Sequence, residues 1–380
     1  MIRLASVIDT FEADFRAQYG DRLTSEHLRA LAAMKYCRTH ASPKMQVQCP
    51  ACEHHILVPH SCGHRHCPHC QHHESQQWLE RQMKRLLPAE YFLITFTVPA
   101  EFRALAFAHQ ETVYDLLLRC GWETLHTFNR NDPQLRGTPG AIAVLHTHTR
   151  KLDFHPHVHL VMPAAAVDAE HRQWRTKSRR VGKGQGKDKG KGRYLFNHKA
   201  LAKVFRAKML AGIEAAGLAP PARHPREWVV DCKAVGSGEK ALVYLGRYLY
   251  RGVIREADIV ACADGQVTFQ YRNAKTRKRE RRTVSGAQFL WLVLQHVLPK
   301  RFRRARNFGF LHPNCKRLIA LLHMVLQFDP GRAVAWFRER PPIACPCCGA
   351  EMKIVRTRIR ASSQEGSPVP IVSSAIQGAH

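Results

Sequence analysis

Between residues 91 and 163 the pattern of apolar and polar positions changes period twice. "YFLITFTVP" (91–99) and "AIAVLHTHT" (141–149) are short apolar runs rich in β-branched and aromatic residues, which predicts strands. "AHQETVYDLLLRCGWETLHTF" between them repeats its apolar residues at helical spacing. After a short turn at residues 150–153, "LDFHPHVHLVMP" returns to a period of two and predicts the second arm of a hairpin. Strand alternation then puts His155, His157 and His159 on one face, with Pro156, Val158 and Leu160 on the other. Upstream, residues 6–36 read as helical, with Thr24 or Ser25 as an N-cap before the stripe of Leu28, Leu31 and Met34. "ESQQWLERQMKRLL", from Glu74, predicts another amphipathic helix. Downstream come a helix in "HKALAKVFRAKMLAGIEAAG", a strand in "REWVVDCKAV", a helix in "GSGEKALVYLGRYLYRGV" and a hairpin near 258–284. This mixture defines an α+β fold with a central antiparallel sheet flanked by helices. The Lys/Gly stretch 175–193 predicts a solvated loop and residues 361–380 a disordered tail.

Charge narrows the partners. With 59 Lys+Arg against 30 Asp+Glu, the 380-residue chain carries +29, an excess that favours a polyanion and points first to nucleic acid. A membrane partner is disfavoured, because no run of about 18 apolar residues occurs and the basic residues are spread along the chain. The first twenty residues have no apolar core of the kind that secretion requires, so a cytoplasmic protein is the expectation. An odd count of 13 cysteines, bunched in CxxC pairs, indicates metal binding rather than a disulfide framework.

The cysteines set out a module over residues 37–73, after N-terminal helices in 1–36. "QCPAC" and "HCPHC" supply Cys49, Cys52, Cys67 and Cys70, two knuckles at the spacing of a zinc ribbon. Cys37, Cys62 and His66, with His40 and His64 nearby, are candidates for a second zinc site. A C-terminal segment, 326–360, predicts a helix and a knuckle whose "ACPCCG" (Cys345, Cys347, Cys348) is half a ribbon; any metal there needs a distant partner.

In the helix near 239–253, Tyr244 and Tyr248 stand four residues apart and share a face, while Tyr250 points away. Arg247 and Arg251 on the same helix could hold phosphate beside the phenols, and Arg303, Arg304 and Arg306 add basic residues suited to DNA-backbone contact. Taken with the histidine strand, these parts suit DNA nicking. A phenol oxygen can attack a phosphodiester and keep the phosphate covalently, conserving the bond for rejoining. A histidine-held divalent cation polarises the phosphate and offsets the charge that builds in the transition state.

The histidine strand and the YxxxY helix together resemble the HUH endonuclease superfamily, and more closely the two-tyrosine rolling-circle transposases of bacterial insertion sequences, the insertion sequence ninety-one family. The likeness runs over roughly residues 25–325 through "CRTH…CPACEHHILVPHSCGHRHCPHCQ", "LHTHTRKLDFHPHVHLVM", "YLFNHKALAKVFRAKML", "VYLGRYLYRGVI" and "HVLPKRFRRARNFGFL". It implies a zinc-ribbon-like N-terminal module, then an HUH nuclease domain over 74–325. His157 and His159 match the HUH pair, and Tyr244 and Tyr248 the two nucleophiles. The implied cofactors are Mg²⁺ or Mn²⁺ for catalysis and structural Zn²⁺; ligand type alone would also allow zinc among three histidines. For the third ligand His155 is the candidate on the same face, with His146 on the neighbouring strand next. The implied activity is cleavage of single-stranded DNA at an element end through a 5′-phosphotyrosine, acting on transposon ends and target. The chain departs from the family where members commonly carry Gly-Gly-His, having "ASPKMQVQ" instead. Two alternatives stand beside the transposase: a plasmid replication initiator or relaxase, and a non-catalytic zinc-dependent DNA-binding protein.

Overall fold

The computed structural model describes residues 2–177, 195–250, 252–273, 276–331 and 342–359. In chain order its helices and strands are α1 (Leu4–Tyr19), α2 (Ser25–Tyr36), β1 (Lys44–Gln48), β2 (His55–Pro59), α3 (His72–Met83), β3 (Tyr91–Thr97), α4 (Arg103–Ala108), α5 (Gln110–Asn131), β4 (Thr138–His148), β5 (Phe154–Pro163), β6 (Ala165–Asp168) and β7 (Gln173–Thr176). They continue with α6 (His198–Ala215), β8 (Val230–Ala234), α7 (Glu239–Tyr250), β9 (Ile259–Ala263), β10 (Gln266–Arg272), β11 (Arg279–Ser285), α8 (Gly286–Leu294), β12 (Ala305–Gly309), α9 (Lys316–Val325) and β13 (Lys353–Ile359). None of these helices is long and apolar enough to cross a membrane.

The chain divides into two compact units, one of Met1–Lys35 with Gly63–Arg340, the other of Tyr36–Cys62 with Pro341–His380. That division departs from the segments expected of the sequence. Residues 63–73 belong with the nuclease-length segment, and the C-terminal cysteines belong with the hairpin around Cys49.

In the larger unit an antiparallel sheet runs β7-β6-β4-β5-β3-β8, with β12 pairing β4 as its seventh strand. Both faces are covered. Phe96, Val158, Leu160 and Met162 point to one side, into a core with α5 and α6 residues such as Leu117, Leu125, Phe205 and Met209. Ile142, Val144 and Val161 point to the other, where Trp78 and Met83 of α3, Leu242 and Leu245 of α7 and Ile319 of α9 enclose them. A second antiparallel sheet, β11-β10-β9, packs Val267 and Phe269 with α1 and α8. The predicted cap at Thr24 forms, its Oγ1 accepting from the His27 amide at 3.3 Å, and Asn197, not singled out in the sequence, caps α6 by accepting from Lys199 and Ala200.

Differences from the expected elements lie at edges and ends. The helices expected in 1–36 are α1 and α2, with the short turn Gly20–Arg22 between them. Residues 175–176, expected at the start of the Lys/Gly loop, belong to edge strand β7, because Trp174 has an apolar seat against Phe310, ring centroids 5.4 Å apart. The basic stretch before residue 310 ends in strand β12, since β4 offers it a free edge. Residues 353–359, within the segment expected to hold a helix and a knuckle, are a strand. Residues 178–194 of the loop, 332–341 of the C-terminal segment and 360–380 of the tail lie outside the described residues.

The smaller unit is built on a three-stranded antiparallel sheet, β13-β1-β2. Its apolar cluster is slight: Val47, Cys49, Cys345 and Met352, with Ile56, Val58, Ile343 and Ala350 against them.

Candidate metal and nucleophile site

Sheet register assembles the histidines. The β4–β5 hairpin pairs His146 with His157 and Val144 with His159, so all three rings stand on the face that carries Val144 and Val161. Their ligating nitrogens all lie within 4.8 Å of one another. Ring centroids are 4.3 Å apart for His146 and His159, 4.9 Å for His157 and His159, and 5.3 Å for His146 and His157.

The hydrogen bonds decide which nitrogens can ligate. His157 Nδ1 lies 2.8 Å from the His155 carbonyl oxygen. A carbonyl only accepts, so this nitrogen carries the proton and Nε2 keeps its lone pair. Thr95 Oγ1 lies 2.8 Å from His159 Nδ1 and orients that ring, again leaving Nε2 to the cluster. Burial pushes all three imidazoles below their ordinary range, His157 down to about 4, with the neighbouring histidines adding to the effect at His146 and His159. Neutral imidazole is the form that binds metal, so the donor set, its protonation and its outer hydrogen bonds fit a divalent cation.

His155, the expected third ligand, is not in the group. Its Nδ1 accepts from the Arg103 guanidinium at 3.3 Å, which leaves the ring proton on Nε2 of the neutral imidazole. Burial and the Arg103 charge hold it below the usual range. The physical reason is spacing. Along a strand, same-face residues sit roughly 6.5–7 Å apart, whereas a cross-strand neighbour lies about 4.5–5.5 Å away. His146 therefore takes the place assigned to His155. His148, across the bulge that follows His146, turns instead toward His296, at 5.3 Å between ring centroids. His296, which the sequence did not single out, gives its Nε2 hydrogen bond to Leu152 O at 3.0 Å.

Helix α7 lies over the same face. Leu242, Leu245 and Leu249 anchor it in the core, and at Gly246 it packs against the Trp78 ring of α3. Gly238 supplies the positive φ, +92°, at the turn into the helix. Half-buried Tyr244 is thereby placed with its ring centroid 6.0 Å from that of His159 and 6.4 Å from that of His146. The backbone of Tyr248 continues the helix one turn on. The side chains of Tyr248 and Arg247, and all of Arg251, lie outside the described residues.

The remaining basic candidates differ among themselves. Arg303 is exposed. Arg304 donates to the carbonyls of Leu145 and Leu249, and Arg306 pairs with Asp115 at 2.7 Å, so both are engaged in holding the fold.

The cysteines regroup. Cys49 and Cys52, expected with Cys67 and Cys70, are joined by Cys345 and Cys348 of the same unit, the four sulfurs within 4.8 Å of one another. Pairing of β1 with β13 brings the C-terminal knuckle to the N-terminal one. Burial pushes the Cys345 thiol up, but the amides of Cys348 and Cys347 outweigh it and bring it down to about 6. The His54 amide favours the Cys52 thiolate, yet the sulfurs of Cys345 and Cys348 push it up to about 12. Cys67 and Cys70 are buried in the larger unit. Of the second-site candidates, Cys37 and Cys62 fall in the smaller unit and His66 in the larger. There His66 Nε2 accepts from the Leu298 amide at 3.2 Å, which removes it as a ligand.

The comparisons with known proteins place the chain in a class. Residues 140–318 match the family model described as "Putative transposase" (Y2_Tnp), and residues 7–98 match the "Transposase zinc-binding domain" (Zn_Tnp_IS91). The chain is 33% identical over 333 residues to "Putative transposase y4qJ" of Sinorhizobium fredii, covering 81% of this chain and 80% of that protein. It is 27% identical over 321 residues to "Transposase for insertion sequence element IS801" of Pseudomonas savastanoi pv. phaseolicola, covering 80% and 76% respectively. No solved structure matches it. The protein is a transposase with a zinc-binding module. It belongs to the IS91 family of insertion-sequence transposases.

Proposed function

We propose that the larger unit is an HUH endonuclease domain and that the protein is a rolling-circle transposase which nicks single-stranded DNA at the end of its element. The observation that carries this reading is the position of Tyr244 over the cluster of His146, His157 and His159. These histidines would hold Mg²⁺ or Mn²⁺, with His146 as third ligand in place of His155. A cation held there would supply Lewis-acid polarisation of the scissile phosphate and offset its developing charge.

Tyr244 Oη attacks the scissile phosphorus as its phenol proton departs. A new bond forms between the tyrosine oxygen and phosphorus while the bond from phosphorus to the 3′ oxygen breaks. The 3′ oxygen leaves, gains a proton, and becomes the hydroxyl that primes displacement. The 5′ phosphate stays on the enzyme as a phosphotyrosine, so the energy of the phosphodiester is retained for transfer. Tyr248, one turn along the same helix face, receives a second strand without release of the first. Exposed Arg303 contributes attraction to the DNA backbone, together with Arg247 and Arg251. Family membership favours element ends over a plasmid origin as the DNA recognised.

The test is covalent capture. Purified protein incubated with labelled single-stranded oligonucleotides from an element end and Mn²⁺ should give a protein–DNA adduct that survives a denaturing gel. A Tyr244→Phe, Tyr248→Phe variant that still forms it rules out the proposed nucleophiles.

A further inference from the structure

We propose that Cys49, Cys52, Cys345 and Cys348 bind one structural zinc ion, so that the smaller unit is a zinc ribbon assembled from two knuckles 293 residues apart at their nearer ends. The matched zinc-binding domain stops at residue 98, which leaves half of these ligands outside it.

Three independent observations support the site. The first is distance. Cys49 and Cys348 sulfurs are 3.5 Å apart, and Cys52 lies 3.6 Å from both Cys345 and Cys348. A tetrahedron with zinc–sulfur arms of ~2.3 Å has edges of about 3.8 Å. A disulfide bond, at about 2.05 Å, is far shorter than these separations.

The second is a repeated backbone. In "CPACEH" the Cys49 amide donates to His54 O and the Glu53 amide donates to Cys49 O. In "CPCCGA" the Cys345 amide donates to Ala350 O and the Gly349 amide donates to Cys345 O. The residue after the second ligand is left-handed in both, Glu53 at φ 57° and Gly349 at φ 76°. Each knuckle also turns the amides two and three residues on toward its first sulfur, those of Ala51 and Cys52 at Cys49 and those of Cys347 and Cys348 at Cys345. Two loops so far apart in sequence share one conformation, and it is the one that presents paired thiolates to a metal. Glu53 bears a side chain in a conformation that suits glycine, so the first knuckle tolerates strain to keep this shape.

The third is the poverty of the surrounding core. The buried residues of the smaller unit's cluster are Val47, Cys49, Cys345 and Met352, two of them ligands themselves. So small a cluster supplies little stabilisation, whereas a structural zinc site contributes folding free energy directly.

Cys347 sits between the two C-terminal ligands but outside the quartet, exposed to solvent. It therefore serves as the internal control. Zinc should be measured by elemental analysis on the full chain after removal of loosely bound metal. Cys348→Ser and Cys49→Ser should each lose about one zinc per chain, the double variant should lose no more, and Cys347→Ser should lose none. Cobalt substitution gives a second readout that does not depend on recovery of the serine variants. Cys348→His should retain the ion but shift its visible absorption to that of a site with one nitrogen donor. Wild-type zinc content in both Cys49→Ser and Cys348→Ser, or losses that add in the double variant, overturns the shared site, as does an unchanged cobalt spectrum in Cys348→His.

Discussion

The histidine cluster and the cysteine cluster are both arranged to receive a cation, but what arranges them differs. His146, His157 and His159 stand on central strands of a seven-stranded sheet with packed apolar layers on both faces. The sheet holds them whether or not a metal is bound. Around the sulfurs of the smaller unit there is little apolar material to do the same. Under the readings proposed above, in one region the fold positions ligands for chemistry, and in the other the ligands help to make the fold. A catalytic ion should be exchangeable without structural loss, and a structural one should not.

The largest expected effect bears on the first half of that contrast. His146→Ala or His157→Ala should lower adduct formation by two to three orders of magnitude or more, the range typical of a lost charge-stabilising contact, with folding cooperativity kept. His155→Ala should stay within a few-fold of wild type, because its ring is committed to Arg103. Equal losses in the His155 and His146 variants, read on the same gel, would break the assignment of the third ligand.

Next in size is chelation. Strong zinc chelators should abolish hydrogen-exchange protection at the β1–β2 amides, such as Val47 and Ile56, while those of β3 to β5 keep theirs. Loss of protection in both regions together would erase the distinction drawn here. A smaller effect runs the other way. Leu117→Ala in the larger core should cost about 2–5 kcal/mol in denaturant unfolding and leave zinc content unchanged.

The smallest effect is in pH. The His171 amide, Arg175 and the His171 side chain beside it hold the buried Asp168 carboxyl down at about 2. A carboxylate lower in the folded state than its ordinary ~3.9 stabilises the fold fully above that value, and the contribution fades as pH falls toward 2. Asp168→Asn should therefore flatten the acid limb of the larger unit's stability curve. The smaller unit should fail at higher pH, where protonation of thiolates releases zinc. Acid titration followed separately in each unit by exchange checks the order of the two transitions.

Much of the larger unit was legible in the sequence because its signals are local. The period of two in 154–163, the helical stripe between the strands and the four-residue spacing of the tyrosines each lie within one element. The edges were not legible. "ARNFG" and "QWRT" have little alternation of their own and become strands because neighbours offer free backbone groups. That His146 rather than His155 joins the histidine pair was not legible for a related reason. Ligand distance across a hairpin depends on register, and the opposition of His146 to His157, with a bulge before His148, is a property of the pair of strands. The cysteine quartet depends on contacts over the longest sequence separations in the chain, yet one clue stands in plain text. Cys-Pro-x-Cys occurs at 49–52, 67–70 and 345–348, and the first and third copies fold alike.

The most direct test of the central claim is to locate the DNA on the protein. The adduct formed with Mn²⁺ and an element-end oligonucleotide should be digested and the nucleotide-bearing peptide sequenced by mass spectrometry. Nucleotide on the α7 peptide, at Tyr244 or Tyr248, is the result expected. A nucleotide attached to a residue on any other element contradicts the account.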